Sequence, residues 1–452
     1  MNQGDRVENA PARHSVGWGW LLPLFILSLA CQLVSLPALD NSAMRLLEKR
    51  SGLIAYAGLD GNIFTIDQFG RNRRAITMDA RLPAGQEVPT RFYRYPTWSP
   101  DGKQLAFVGL EGADNRGHAV GLYTAAINGQ GPLEIYHSEE ELPFYLYWSP
   151  DSQQVSFLTT AAGSDMALKV TPATGGETHQ LALGAPFYWA WAPDNHTILI
   201  HTGGAAKFSQ TARLTLLTLD EPVEERELEL KPSFFQAPAW SPAGDELLLG
   251  GIGEMGEDSL VLAGRDGTVK KTLGRIDGLI AFGWSPDGRR VAYVNRGPIP
   301  LQGSSRNLLT ILDPADLEAS IQMEERYVIA FFWSPDSRKL AYLASEVAVP
   351  GLQTSLPGQA DVVLMLKLFV LDLETGLSSQ LATFQPTADF TSILPYFDQY
   401  QHSATLWSPD SRYLVIAADN PGASPGIYVL NTTDDGNPIW IADGSLAFWS
   451  WR

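Results

Sequence analysis

Trp98-Ser-Pro-Asp-Gly102 is the first of seven closely related phrases in this chain. The others are Trp148-Ser-Pro-Asp-Ser152, Trp191-Ala-Pro-Asp-Asn195, Trp240-Ser-Pro-Ala-Gly244, Trp284-Ser-Pro-Asp-Gly288, Trp333-Ser-Pro-Asp-Ser337 and Trp407-Ser-Pro-Asp-Ser411. Successive tryptophans stand 50, 43, 49, 44, 49 and 74 residues apart. Non-helical repeats of that period are the mark of propeller blades. Within a phrase, Pro presets the second position of a tight turn, Asp accepts backbone N–H groups, and Gly, Ser or Asn tolerates the geometry that follows. The indole is a large apolar wedge suited to the seam between neighbouring blades.

Reading outward, each phrase is followed by a short apolar run: Gln104–Gly109, Gln154–Thr159, Thr197–Thr202, Glu246–Gly251, Arg290–Asn295, Lys339–Ala344 and Tyr413–Ala418. A second run follows, such as Val120–Ile127 or Leu308–Leu312, and then a third, such as Leu133–Ser138. With the residues leading into each Trp, every unit supplies four short antiparallel strands. The repeat resembles that of TolB-type propellers, also found in propeller domains of tricorn and prolyl oligopeptidase-like proteases. The resemblance spans about residues 52–451. It implies an all-β fold and a non-catalytic binding or assembly role. The Trp240 phrase departs by lacking Asp, which predicts a looser turn there.

The ends complete the pattern. Residues 53–58, 62–68 and 73–77 read as three strands of a blade that has no Trp phrase before it. Leu446-Ala-Phe-Trp449 reads as the missing innermost strand, and Trp449 as an eighth wedge. The expectation is therefore eight four-stranded blades closed by pairing of the C-terminal strand with blade one, over residues 52–452, with seven blades if an end fails to pair.

Residues 1–16 form an N-terminal tail and 40–51 a linker. Between them, Gly17 to Leu39 carries no charge over 23 residues, enough to cross roughly 30 Å of hydrocarbon as a helix. Its length favours a transmembrane signal-anchor; a lipoprotein-like signal ending at Cys31, cleaved secretion and a buried helix are the alternatives. Exported TolB-type proteins imply a membrane-anchored, extracytoplasmic propeller; the charges flanking the segment do not decide its orientation. The formal net charge of −18 argues against a nucleic-acid partner. Arg71, Arg73 and Arg74 read as a solvated turn.

Catalytic machinery is not apparent. Gly422-Ala-Ser424-Pro-Gly426 matches G-x-S-x-G without the strand–elbow–helix setting that a nucleophile needs. The histidines, His196 and His201 included, show no metal-ligand spacing. Asp434-Asp435-Gly436-Asn437 reads as a turn. Neither metal nor cofactor is expected, and the enzyme alternative is a ligand-binding or lyase-type protein whose groups converge at the channel mouth.

If strands A to D run from the channel outward, the Trp phrase is the A–B turn, and B–C loops and D–A connections share the opposite face. That face holds most of the length variation: Met78–Arg94, Leu110–Gly117, Gly203–Ala212, Arg296–Arg306, Ser345–Met365 and Gln385–Gln401. Phe390, Tyr396, Phe397 and Tyr400, with Asp389 and Asp398, are the candidate binding residues for a protein or peptide, since aromatics on long loops dominate recognition. The alternative is that they pack as a lid on their own blade.

Overall fold

Each Trp phrase folds into the turn its residues dictate. In the first, the Ser99 hydroxyl donates to Asp101 (2.7 Å) and accepts the Gln104 amide (3.0 Å), while the Lys103 amide donates to the same carboxylate (3.0 Å). The same Ser–Asp clasp closes at Ser149–Asp151, Ser285–Asp287, Ser334–Asp336 and Ser408–Asp410. The turn after Trp240 keeps it, contrary to expectation: Ser241 donates to Asp245 at 2.8 Å, so a carboxylate two residues later replaces the one missing at Ala243. After Trp191, where Ala192 lacks a hydroxyl, Thr197 donates to Asp194 at 2.9 Å.

The computed structural model describes residues 49–452 apart from 83–89, 114–116, 130, 162–164, 221, 254–255, 277, 279, 297–306, 324–326, 346–363 and 434–436. The described chain is an all-β propeller. Four-stranded antiparallel sheets are named here by their tryptophans; their innermost strands are Thr90–Trp98, Pro143–Trp148, Phe187–Trp191, Ala239–Trp240, Ile280–Trp284 and Leu446–Trp449. In the last of these, Leu446–Trp449 pairs with Ile54–Ala57 in the register Ile54↔Trp449 to Ala57↔Leu446, joining the two ends of the propeller.

A seven-stranded sheet runs from Val328–Trp333 to Ile439–Asp443. It departs from the expected repeat. An isolated bridge, Trp407↔Leu414, stands where the repeat predicts a full inner strand, and Ser378–Pro386 pairs directly onto Tyr413–Asp419 through Gln385↔Asp419 and Pro386↔Ala418. The preceding residues are helical and leave little chain to extend. The Leu110–Gly117 loop is also shorter than the sequence predicts, because Gln104–Ala113 and Gly117–Ala126 carry their ladder on to Ala113↔Gly117.

Neighbouring sheets are joined by the tryptophans. The Trp98 indole donates to the Phe448 carbonyl (3.1 Å), Trp148 to Thr97 (3.1 Å), Trp240 to Ala190 (3.2 Å), Trp333 to Gly283 (3.3 Å) and Trp407 to Phe332 (2.8 Å). Each acceptor is the residue just before the preceding tryptophan of the repeat. Trp191 reaches its neighbour through Ser156, whose hydroxyl accepts the indole N–H (2.8 Å) and donates to the Tyr147 carbonyl (2.8 Å). A second stitch lies at the turns: the amides of Asp101, Asp287 and Asp336 donate to Ser152, Ser337 and Ser411 of the next Trp phrase. These serines hold φ between +59° and +64°, a strained setting that the hydrogen bond helps offset.

Among the described residues no helix is long and apolar enough to cross a membrane; the 17–39 segment and Asp434–Gly436 lie outside them. Ser424 sits in an exposed loop between two strands, with no helix following.

Candidate functional site

The segment after Pro386 is the most distinctive part of the fold. Its sequence reads as a loop, yet it forms a helix, Ala388–Ile393 (α1), one 3-10 turn, Leu394–Tyr396, and a short helix, Phe397–Tyr400 (α2). Thr387 caps the first helix by accepting the Phe390 amide, and Asp389 lies in the first turn, where a negative charge favours the helix dipole. Phe390, Ile393, Leu394 and Phe397 recur at i, i+3, i+4 and i+7 and are all buried. Phe397 meets Phe331 and Phe332 edge-on at 5.0 and 5.3 Å.

The polar side chains reach in the other directions. Gln399 reads the Trp189 backbone twice, accepting its N–H at 3.1 Å and donating to its C=O at 3.0 Å. Asp398 accepts the Ala237 amide at 3.0 Å, and Gln401 donates to the Phe282 carbonyl at 2.9 Å. Asp389 accepts the Ser445 hydroxyl at 2.5 Å and lies 3.8 Å from Arg94. Tyr400 packs on Tyr145 at 4.7 Å, and His402 stacks on Tyr147 at 5.9 Å. One segment thus touches the inner strands, or the residues leading into them, of the Trp98, Trp148, Trp191, Trp240, Trp284, Trp333 and Trp449 sheets. A short piece of chain can touch all of these only by lying across the axis they surround. It is a plug, held by residues along the inner strands from Ser445 at the start of one to Phe332 and Tyr147 just before the tryptophans of others.

The candidate binding residues therefore separate. Phe390 and Phe397 are core, Asp389 is tied to Ser445, and Tyr396 stays 39% exposed. Tyr400 and Asp398 are partly exposed. Burial pushes the Asp398 carboxyl up to about 6, against the pull of the Ala237 amide and the facing Tyr188 hydroxyl. Burial pushes the His402 imidazole down to about 4.

Tyr145, Tyr188 and Phe235 join this mouth, and nothing in the sequence singles them out. Tyr145 packs against Tyr396 at 5.8 Å and Tyr188 at 6.2 Å, and Tyr188 stacks on Phe235 at 4.3 Å. Tyr145 holds φ +53°, an uncommon setting for a bulky residue, where the register of its strand slips between Phe144 and Tyr147. His201 is buried between the carbonyls of Gln236 (2.8 Å) and Gly204 (2.9 Å), whereas His196 is exposed.

Neither a protein-family model nor a curated protein matches the chain. Similar solved structures include a putative TolB from Agrobacterium tumefaciens, 16% identical with a TM-score of 0.37, covering 80% of this chain and 96% of that one. An oligogalacturonate lyase in complex with manganese is 15% identical with a TM-score of 0.49, covering 85% and 97%. The β-propeller domain of the Trilobed protease from Pyrococcus furiosus is 14% identical with a TM-score of 0.45, covering 79% and 99%. The TolB and the protease propeller are of the kinds that the Trp-phrase resemblance named.

Proposed function

We propose that this chain is a non-catalytic, membrane-tethered, extracytoplasmic propeller of eight blades that presents its B–C and D–A loop face to a protein or peptide partner. The observation that carries this reading is where large apolar side chains remain exposed. Among the described residues, Leu59, Met78, Leu82, Leu142, Leu183, Phe208, Ile252 and Tyr396 lie toward the loop face, whereas Leu133, Val223 and Leu377 lie toward the Trp-phrase face and Trp440 on the outer strand Ile439–Asp443. Exposed apolar side chains collected on one face of a rigid scaffold suit recognition. Six of the eight tryptophans reach back through the indole N–H toward the preceding tryptophan, a stepwise pattern that supports the count of eight. The plug supports the non-catalytic reading, because it fills the mouth where reacting groups would have to converge.

The point of entry into the propeller fits the same orientation. Ser51 lies at the Trp-phrase end, where its amide donates to Gln68 (3.2 Å) and a Cβ at Gly52 would meet Pro409 at 2.8 Å. The chain therefore enters the first blade at the end away from the loop face.

The test is site-specific photo-crosslinking in the full chain, with a benzophenone side chain at Phe208 or Met78 on one face and at Leu133 or Leu377 on the other. The reading expects one discrete adduct from the first pair and none from the second. Adducts confined to Leu133 and Leu377 contradict it.

A further inference from the structure

Asp398 is a carboxylate without a cation. Its partners include the Ala237 and Gln399 amides and the Tyr188 hydroxyl, and among the described residues no Lys, Arg or His pairs with it. A carboxylate packed this closely ordinarily takes a counter-charge, because leaving the charge unpaired is costly. Tyrosines surround it instead. Tyr145 is the hub, with ring centroids 4.7 Å from Tyr400, 5.8 Å from Tyr396 and 6.2 Å from Tyr188, the last two near perpendicular. Its own hydroxyl is buried and faces that of Tyr188 without reaching good hydrogen-bond geometry. Tyr396 forms the exposed rim, and Asp398 itself keeps partial access to solvent.

Partly exposed rings of Tyr145, Tyr396 and Tyr400 beside a carboxylate that the Tyr188 hydroxyl holds are the ingredients of a site for an alkylammonium group. The ring faces attract the cation and the carboxylate neutralises it. We propose that Asp398, Tyr145, Tyr188, Tyr396 and Tyr400 form a cation-binding recess at the channel mouth, which takes an ammonium head such as a lysine side chain of the docked partner. The strained Tyr145 backbone places the hub ring in this cluster. The chain's formal charge of −18 adds a complementary field for a basic partner. This inference deepens the loop-face reading and rests on it for the identity of the partner, but the recess is tested without one.

The full chain is titrated by calorimetry with choline, with N-acetyl-lysine methylamide, and with 3,3-dimethylbutan-1-ol, the uncharged analogue of choline. The two cations are expected to bind saturably and the alcohol at least about tenfold more weakly. A preference for the lysine derivative assigns the recess to a peptide side chain; a preference for choline assigns it to a free amine. Asp398→Asn and Tyr396→Ala should each weaken cation binding about tenfold or more, and Tyr396→Phe should leave it within about threefold, since the ring face is retained. Tyr396 is exposed, so its variants decide the matter if Asp398→Asn fails to fold. Absence of saturable binding, equal affinity for the alcohol, or unchanged affinity in the Tyr396→Ala protein overturns the recess. Failure of these titrations with crosslinks from Phe208 intact would remove the recess and leave the docking face; loss of the crosslinks with cation binding intact would do the reverse.

Discussion

At one end of the propeller the chain repeats a single solution; at the other it uses one solution once. The Trp-phrase turns close by the same Ser–Asp clasp again and again, and each contacts only its neighbours. The plug at 387–404 has no counterpart elsewhere among the described residues, yet it touches sheets right around the ring. A repeated local contact can lose one copy and keep the others. A single long-range contact is all or nothing, so the two ends should respond differently to mutation.

The largest effect should come from opening the ring. Deleting Leu446–Arg452 removes the partner strand of Ile54–Ala57 and the fully buried Trp449, and leaves the Ile54–Ala57 edge unpaired. The truncated chain is expected to aggregate or to melt far below the intact one in a thermal scan. Unchanged melting would show that the end-to-end pairing contributes nothing.

Next comes the plug. Gln399→Ala leaves both the N–H and the C=O of buried Trp189 without partners, at about 1–3 kcal/mol each. Chemical denaturation should show a loss several times that of Ser99→Ala, whose clasp is one of many and should cost about 1 kcal/mol. Equal losses would dissolve the contrast between the two ends. By the same reasoning, shortening 385–401 to an ordinary blade connection does not spare the fold. It strips Phe331 and Phe332 of Phe397 and unpairs the mouth-facing backbone.

The pH dependence separates the ends further. Asp398 titrates near 6 when folded against about 3.8 when free, so its contribution is full at low pH and is lost as pH rises from about 4 to 6, by up to about 3 kcal/mol. Asp398→Asn should remove this loss. The groups facing it are the Ala237 amide and Tyr145, Tyr188, Tyr396 and Tyr400; burial holds the Tyr145, Tyr188 and Tyr400 hydroxyls above their usual range, well outside that window. His402 has the opposite sign: folded near 4 against 6.5, it withdraws stability as pH falls through that interval. Denaturation midpoints between pH 4 and 7 should therefore rise toward pH 7 in Asp398→Asn relative to the parent chain. Parallel pH profiles for the two proteins would refute the burial of a reluctant carboxylate.

The smallest effect sharpens the ring itself. The Trp98 indole donates to Phe448, whereas the Trp284 and Trp449 indoles find no acceptor among the described residues. Trp98→Phe should therefore cost about 1 kcal/mol more than Trp284→Phe by denaturation. A larger cost at Trp284 would mean that wedge volume alone matters.

Much of this is legible in the sequence. The Trp phrase reports a turn that depends on a few adjacent residues, so reading five letters predicts its geometry. Trp449 is legible because the same spacing leaves one strand missing. Asp245 is not, because its carboxylate lies outside the five-letter window. Nor is Thr197, which supplies in three dimensions the hydroxyl that Ala192 lacks. The plug hides behind its aromatics. Their presence in a long insertion reads as a binding loop, although Phe390, Ile393, Leu394 and Phe397 carry helical spacing and Thr387 the cap. Tyr145 and Tyr188 are out of reach, since their meeting with Asp398 depends on sheets far apart in the chain.

The plug is tested most directly by hydrogen exchange resolved to single amides in the full chain. The Trp189 and Ala237 N–H groups face the channel and are held by the side chains of Gln399 and Asp398. A seated plug predicts slow exchange at both, comparable to amides within the inner strands, with Gln399→Ala releasing Trp189 and Asp398→Ala releasing Ala237. Exchange at both positions in the parent chain as fast as in exposed loops would show an open mouth and contradict the account.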